Sequence, residues 1–215
     1  MTAKKILIEL HYLPCAQFFS KLYAFEEVII EQHENYLKGS YRNRAHIAGA
    51  NGLLRLSIPL MKGKNEQQGI QAVQIAHHEN WAQQHWASIQ SAYGNAPFFE
   101  YYADAFESIF KTVPTTLFAF NQALLETTLS FLEFPAKLEW STHFTKVTDE
   151  KECLDFRNGI FPKKHRQKED PSFEPKPYLQ VFSDKNGFIP NLSILDLLFC
   201  HGPQSSLILE DCVKS

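Results

Sequence analysis

Residues 5–30 read KILIELHYLPCAQFFSKLYAFEEVII, and the order of patterns inside that stretch decides the fold. Residues 6–10 are a short apolar run of the kind that forms a strand buried on both faces. After Pro14, Phe18, Phe19, Leu22 and Phe25 recur at three- and four-residue spacings, which predicts an amphipathic helix over 16–25. Residues 28–30, Val-Ile-Ile, form a second β-branched run. Strand, turn, helix and strand in that order make a βαβ unit, whose two strands are normally parallel. Residues 11–14, His-Tyr-Leu-Pro, then fall at the carboxyl end of the first strand, where open α/β sheets bind ligands.

Working outward, residues 35–44 break the periodicity and end in Arg42-Asn43-Arg44. Asn51-Gly52 is a turn signal and residues 54–60 alternate with period two, which predicts a hairpin-like return into a third strand. Residues 62–69 read as a polar loop and 72–75 as a short fourth strand. From Glu79 the pattern is helical: Ala82, Trp86, Ile89 and Tyr93 form one stripe, and Trp81, His85, Ser88 and Ala92 a second beside it. Further helices are predicted around 98–111 and 117–132. Residues 162–177 are basic and proline-rich with little to bury, which predicts a mobile loop. A strand is expected at 178–182, a turn at 184–187, and a helix through Phe199 opened by the capping box Ser193-Ile194-Leu195-Asp196 and ended by Gly202-Pro203. The fold class is therefore α/β, a mostly parallel sheet opened by a βαβ unit with a helix-rich middle, in one domain over 1–215.

Composition narrows the function classes. The chain has 215 residues, 44% hydrophobic, with a formal net charge of −3, so no global positive field exists for a nucleic-acid backbone and no nucleic-acid partner is expected. Cys15, Cys153, Cys200 and Cys212 make no C-x-x-C pair, which argues against a zinc knuckle or a disulfide framework. Met1-Thr2-Ala3-Lys4-Lys5 leads into too short an apolar run for a signal peptide, and no stretch reaches the length of a membrane span. A cytoplasmic location fits both observations. Neither a P-loop, a G-x-S-x-G, a complete dinucleotide fingerprint nor an H-E-x-x-H occurs. No motif names a cofactor, and nothing in the pattern fixes an oligomeric state.

Five blocks carry a family resemblance: Tyr12-Leu13-Pro14 with Phe19; Tyr41-Arg42-Asn43-Arg44; Asn51-Gly52 followed by Leu56-Ser57-Ile58-Pro59; His85-Trp86-Ala87-Ser88-Ile89 with Ala92-Tyr93; and residues 187–199 with Gly202-Pro203. In this order they resemble the WbqC-like proteins, a family named after a gene product of a bacterial O-antigen cluster. The resemblance implies a part in surface-polysaccharide biosynthesis. The chain departs from the longer members in carrying Glu9-Leu10 where they have Gln-Pro, and a basic Pro/Lys loop where they have a Gly-rich segment.

Candidate site residues follow from chemistry and from these blocks together. His11, at a strand end, is placed to act as an acid or base or to donate to a phosphate; the alternative is a turn histidine bonded to backbone. Arg42 and Arg44 have forked guanidiniums suited to an anion and, if the segment is extended, project to the same side, with Asn43 between them; the alternative is a solvated basic loop. His85 is either a second acid or base beside an aromatic wall of Trp81, or a core histidine. Tyr12, Ser88 and Tyr93 complete the substrate-binding set. No metal site is expected, because His78 and His85 are about 10.5 Å apart along an ideal helix. Asp196 reads as the capping-box acid. These residues predict one concavity holding His11, Arg42, Arg44 and His85. The function expected is a group-transfer or ligase-type enzyme acting on a sugar nucleotide or another anionic small molecule. The alternative is a non-catalytic binding or assembly protein of the same pathway.

Overall fold

The computed structural model describes residues 3–63, 65–149 and 151–214; Met1 and Thr2 of the N-terminal stretch and Lys64 of the polar loop lie outside them. The opening βαβ unit is present: β1 (Lys5–Glu9), α1 (Ala16–Ala24) and β2 (Glu27–Glu31). β1 and β2 are parallel neighbours, with Ile6 opposite Val28 and Ile8 opposite Ile30. All four of these side chains are buried on the sheet, and Phe18, Phe19 and Leu22 of α1 are fully enclosed with them. Full burial of such a side chain contributes about 1.5–3 kcal/mol, so this face alone is a substantial part of the core.

Two strands that the periodicity left unassigned complete the sheet. β5 (Lys137–Trp140) pairs with β2 and β6 (Cys153–Asp155) with β1, both parallel, giving the order β5-β2-β1-β6. The chain moves outward from β1 to β2 and β5, then returns to the far side of β1 as β6. That reversal is the topological switch point, beside which α/β sheets place their ligands.

The predicted hairpin exists as β3 (Arg44–Gly49) and β4 (Gly52–Ser57), antiparallel, but it pairs only with itself and stands outside the main sheet. Residues 72–75 are not a strand. A 3₁₀ turn at Ile70–Ala72 leads into single bridges from Gln74 to Thr116 and from Ile75 to Leu60. Residues 178–182 also fail to form a strand: the Gln180 amide N–H donates to Ser183 Oγ at 3.1 Å and its carbonyl accepts from the Ser183 N–H at 3.1 Å, so this backbone opens the short helix α5 (Ser183–Asn186) rather than a ladder.

The helical middle is α2 (Trp81–Tyr93), α3 (Phe99–Lys111) and α4 (Leu117–Leu129), the last capped by Thr116, whose hydroxyl accepts from the Ala119 N–H. α6 (Ile194–His201) is buried along most of its length because it packs against α1, α2, α3 and the hairpin. Gly202, at φ +55, ends it, and a further helix α7 (Ser205–Asp211) follows. Segment 162–177 contains a single 3₁₀ turn and is tied down by polar contacts: Asp170 accepts from Lys21 Nζ and from Gln17 Nε2. No helix among the described residues is long and apolar enough to cross a membrane.

Candidate functional site at the carboxyl ends of the sheet

β1 reads KILIE and β2 reads EVIIE, so each buried strand ends on a glutamate. Glu9 and Glu31 thus stand side by side at the carboxyl edge of the sheet, and Asp155 ends β6 opposite Leu7. Each carboxylate needs a partner where water cannot reach. Glu31 accepts from Ser141 Oγ at 2.7 Å, the Thr145 N–H at 2.9 Å and Arg157 NH1 at 3.1 Å. Arg157 also forks onto Asp155, at 2.9 and 2.6 Å.

Glu9 belongs to a second, deeper network organised by Arg42. The 3₁₀ turn Tyr41–Asn43 is capped by Ser40, and Asn121 Nδ2 donates to the Arg42 carbonyl at 2.7 Å, which holds the Arg42 side chain inside the protein. Its guanidinium binds Glu34 through Nε at 2.7 Å and NH2 at 2.6 Å. NH2 also donates to Asn158 Oδ1 at 2.9 Å, and NH1 lies 3.6 Å from Glu9 Oε1. Glu9 takes further bonds from His11 Nε2 at 3.0 Å and the Asn158 N–H at 2.8 Å. Asn158 offers both groups from one position because its backbone is left-handed, at φ +58, a conformation that asparagine tolerates better than most residues.

One guanidinium here faces two carboxylates, and their proton affinities are driven apart. Burial pushes Glu9 up, but Arg42, His11 and the Asn158 amide outweigh it and hold the group at about 2. Burial pushes Glu34 to about 7, reinforced by the charges on Glu9 and Glu31 and only partly opposed by Arg42. The two shifts thus run in opposite directions: Glu9 is held ionised, and Glu34 keeps its proton to higher pH than a free carboxyl does. Glu34 also reaches a cleft of about 310 Å³ at the sheet edge, lined with it by Asn35, Phe144, Asp155, Arg157, Asn158 and Lys168.

The other residues singled out from the sequence are distributed as follows. His11 is enclosed between Phe18 and Tyr41, ring centroids 5.4 and 5.5 Å away, and acts on Glu9. Its neighbour Tyr12 points into the core, its hydroxyl 2.9 Å from His85 Nδ1. The corner between them continues through Leu13 at φ +42, a strained conformation for leucine before proline. His85 packs edge-on with Trp81 and also has a backbone hydrogen bond to Ser57; burial lowers it to about 4, so it is neutral at physiological pH. Tyr93 donates to Asp196 at 3.0 Å and accepts from the Ala48 N–H at 3.0 Å, which makes it a tie between hairpin, α2 and α6. Ser88 is half-buried and bonds back to the Gln84 carbonyl. Asn43 is held by Tyr36 and the Ile58 carbonyl. Arg44 lines a separate cleft with Lys38.

The expected single concavity of His11, Arg42, Arg44 and His85 is thus not formed. Residues 41–43 turn instead of extending, so the two arginines do not alternate on one face. Asp196 is not the capping acid either: its carboxylate is buried and accepts from Tyr93 and from Gln180 Nε2 at 3.0 Å. What sequence reasoning missed was Glu9, Glu31, Glu34, Asp155, Arg157 and Asn158. The available signal was a glutamate closing each of two apolar strands, since a carboxylate is almost never buried unless paired.

The sequence profile of the WbqC-like protein family matches residues 10–165, a span that includes Glu34, Arg42, Asp155, Arg157 and Asn158. The chain belongs to the WbqC-like protein family. Among curated proteins, the uncharacterized protein Rv1507c of Mycobacterium tuberculosis is 25% identical over 231 residues, covering 97% of this chain and 98% of its own. No solved structure matches. The relationship to Rv1507c is thus end to end, and every residue lining the cleft of this WbqC-like chain except Lys168 lies inside the family's matched region.

Proposed function

We propose that this WbqC-like chain is a group-transfer or ligase-type enzyme that moves a proton through Glu34 in the carboxyl-end cleft. Its substrate is a nucleotide-activated or otherwise anionic small molecule, a sugar nucleotide in the surface-polysaccharide setting that the family resemblance implies, handled in the cytoplasm. The observation that carries this reading is the geometry of Glu9 and Glu34 sharing the buried Arg42, with Glu34, whose carboxyl burial pushes above the usual carboxylate range, opening on the cleft. A carboxylate poised there takes the proton from an attacking hydroxyl or amine and returns it to a leaving group. Lys168 is the rim cation without a carboxylate partner among the described residues, Arg157 being paired with Asp155 and Glu31. His11 is a positioning residue in this reading: it keeps Glu9 ionised and so keeps Arg42 between the two carboxylates. His85 takes no part in proton transfer.

The competing reading, a non-catalytic binding or assembly protein, is favoured by one observation, the complete enclosure of Arg42 by carboxylates and Asn158 as in a structural ion cluster. Turnover separates the two. Sugar nucleotides are incubated with hydroxyl and amine acceptors and the products weighed by mass spectrometry. Glu34→Gln is expected to lower the rate by about 10²–10⁴-fold, the usual contribution of a general acid or base. Turnover that survives Glu34→Gln sinks the assignment of Glu34; specific ligand binding without turnover in the wild type supports the binding-protein reading.

A further inference from the structure

Segment 34–36 is a wall common to two clefts. Glu34 and Asn35 face the carboxyl-end cleft, whereas the next residue, Tyr36, faces a second, larger one of about 570 Å³ with Lys38, Asn43, Arg44 and Leu60. The two differ in charge balance. Arg157 and Arg42 are matched by carboxylates within 3.1 and 2.6 Å. In the second cleft, neither Lys38 nor Arg44 has a carboxylate partner among the described residues. The Arg44 Nε is moreover shielded from solvent and has no hydrogen-bond partner among them. A buried donor left without an acceptor costs free energy, and an anion drawn into this concavity by Lys38 and Arg44 together would give the guanidinium an acceptor.

The walls are built to hold that geometry. The Arg44 N–H donates to the Tyr41 carbonyl, closing the 3₁₀ turn and fixing where the arginine leaves it. Asn43 has its amide on the Ile58 carbonyl at 2.9 Å and its oxygen on the Tyr36 hydroxyl at 3.1 Å, so it braces the cleft. Gly39, at φ +81, passes beside the guanidinium: a Cβ there would lie 4.0 Å from Arg44 NH1. Arginine supplies a planar fork and lysine a mobile point charge, the complementary pair that recognises a phosphoryl group.

We propose that this second cleft is an anion subsite that takes the phosphate or diphosphate moiety of a small molecule, with Arg44 gripping it and Lys38 neutralising it. The assignment deepens the group-transfer reading by giving the anionic end of its substrate a place next to Glu34, but binding at the subsite does not depend on catalysis.

The test is calorimetric binding of inorganic pyrophosphate to the wild-type chain. Binding is expected, and Arg44→Ala should weaken it by about 10–100-fold, the equivalent of one or two charge-assisted hydrogen bonds. The exposed Lys38→Ala should weaken it by about threefold to tenfold by removing a point charge near the surface. Lys38→Ala carries the test if the half-buried arginine proves necessary for folding. Glu34→Gln should bind pyrophosphate as the wild type does, so a failure of the catalytic reading leaves this result standing. The proposal is overturned if pyrophosphate does not bind, or if it binds Arg44→Ala and Lys38→Ala undiminished. Loss of binding in Lys168→Ala but not in Arg44→Ala also overturns it, because the anion would then sit in the carboxyl-end cleft.

Discussion

The carboxyl end of the sheet and the seam between α2 and the hairpin both bury polar side chains and a histidine, yet they solve the problem in opposite ways. In the seam each group meets a neutral or singly charged partner: Tyr12 meets His85, and Tyr93 and Gln180 meet Asp196. At the sheet, two carboxylates compete for one guanidinium and one of them reaches a cleft. Matched polar pairs hold elements together. Charge imbalance beside a cleft leaves a group whose protonation a ligand can change. The difference therefore separates architecture from a candidate reaction centre better than residue type does, since histidine occurs in both.

The largest expected effect breaks the sheet-edge network. Arg42→Ala leaves Glu9 and Glu34 buried without their shared cation, which costs about 3–5 kcal/mol. Urea denaturation of wild type and variant measures it. A loss below about 1 kcal/mol, the level of an exposed pair, would mean that solvent reaches the cluster and that the contrast with the seam is false.

A second effect sharpens the contrast because the two regions respond to pH with opposite signs. Burial raises the folded pKa of Glu34 to about 7 from the ordinary 4.5, so its contribution is fully present below about 4.5 and is lost as pH rises through 7. His85 has its folded pKa lowered to about 4 from 6.5, so its contribution is fully present above about 6.5 and is lost as pH falls through 4. Each corresponds to a change on the order of 3 kcal/mol, and the two oppose one another between about pH 4.5 and 6.5. Relative to the wild type, Glu34→Gln should make stability rise more steeply with pH in that window, and His85→Gln should make it fall more steeply. Melting temperatures taken across the window decide the matter; the same change of slope in both variants would contradict the assignment. Glu9, held at about 2, adds stability that is lost only at more acidic pH.

The fold was legible in the sequence where local periodicity and topology agree. Residues 5–30 contain their own βαβ evidence, and α2 carries two apolar stripes because both its flanks are covered. β5 and β6 were illegible because they are four and three residues long and owe their existence to the edges that β2 and β1 offer them. Residues 178–182 have a strand's composition, but Ser183 takes both the N–H and the carbonyl of Gln180 that a ladder would need. The site was legible by location rather than by residue. The corner after β1 borders the buried network described above, and Arg42 belongs to that network. Its partners Glu9, Glu34 and Asn158 are separated along the chain and meet only through the sheet, so no local spacing announces them.

The smallest expected effect tests whether Tyr12 and His85, which the sequence places among the site residues, stand where the comparison puts them. Tyr12→Phe keeps the ring packed against Phe120, 5.9 Å between centroids, and removes only the hydroxyl that donates to His85 Nδ1. The imidazole acceptor is then buried without a donor, which costs about 1–3 kcal/mol. The unfolding free energy should fall by that amount, lowering the urea midpoint with an unchanged dependence on denaturant, because the surface exposed on unfolding is the same. Pyrophosphate binding and any Glu34-dependent turnover should stay at the wild-type level, since neither cleft includes Tyr12 or His85 among its lining residues. The opposite outcome is equally readable. A stable Tyr12→Phe with turnover reduced tenfold or more would mean that the seam transmits to the chemistry, and His85 would then return as a working acid or base.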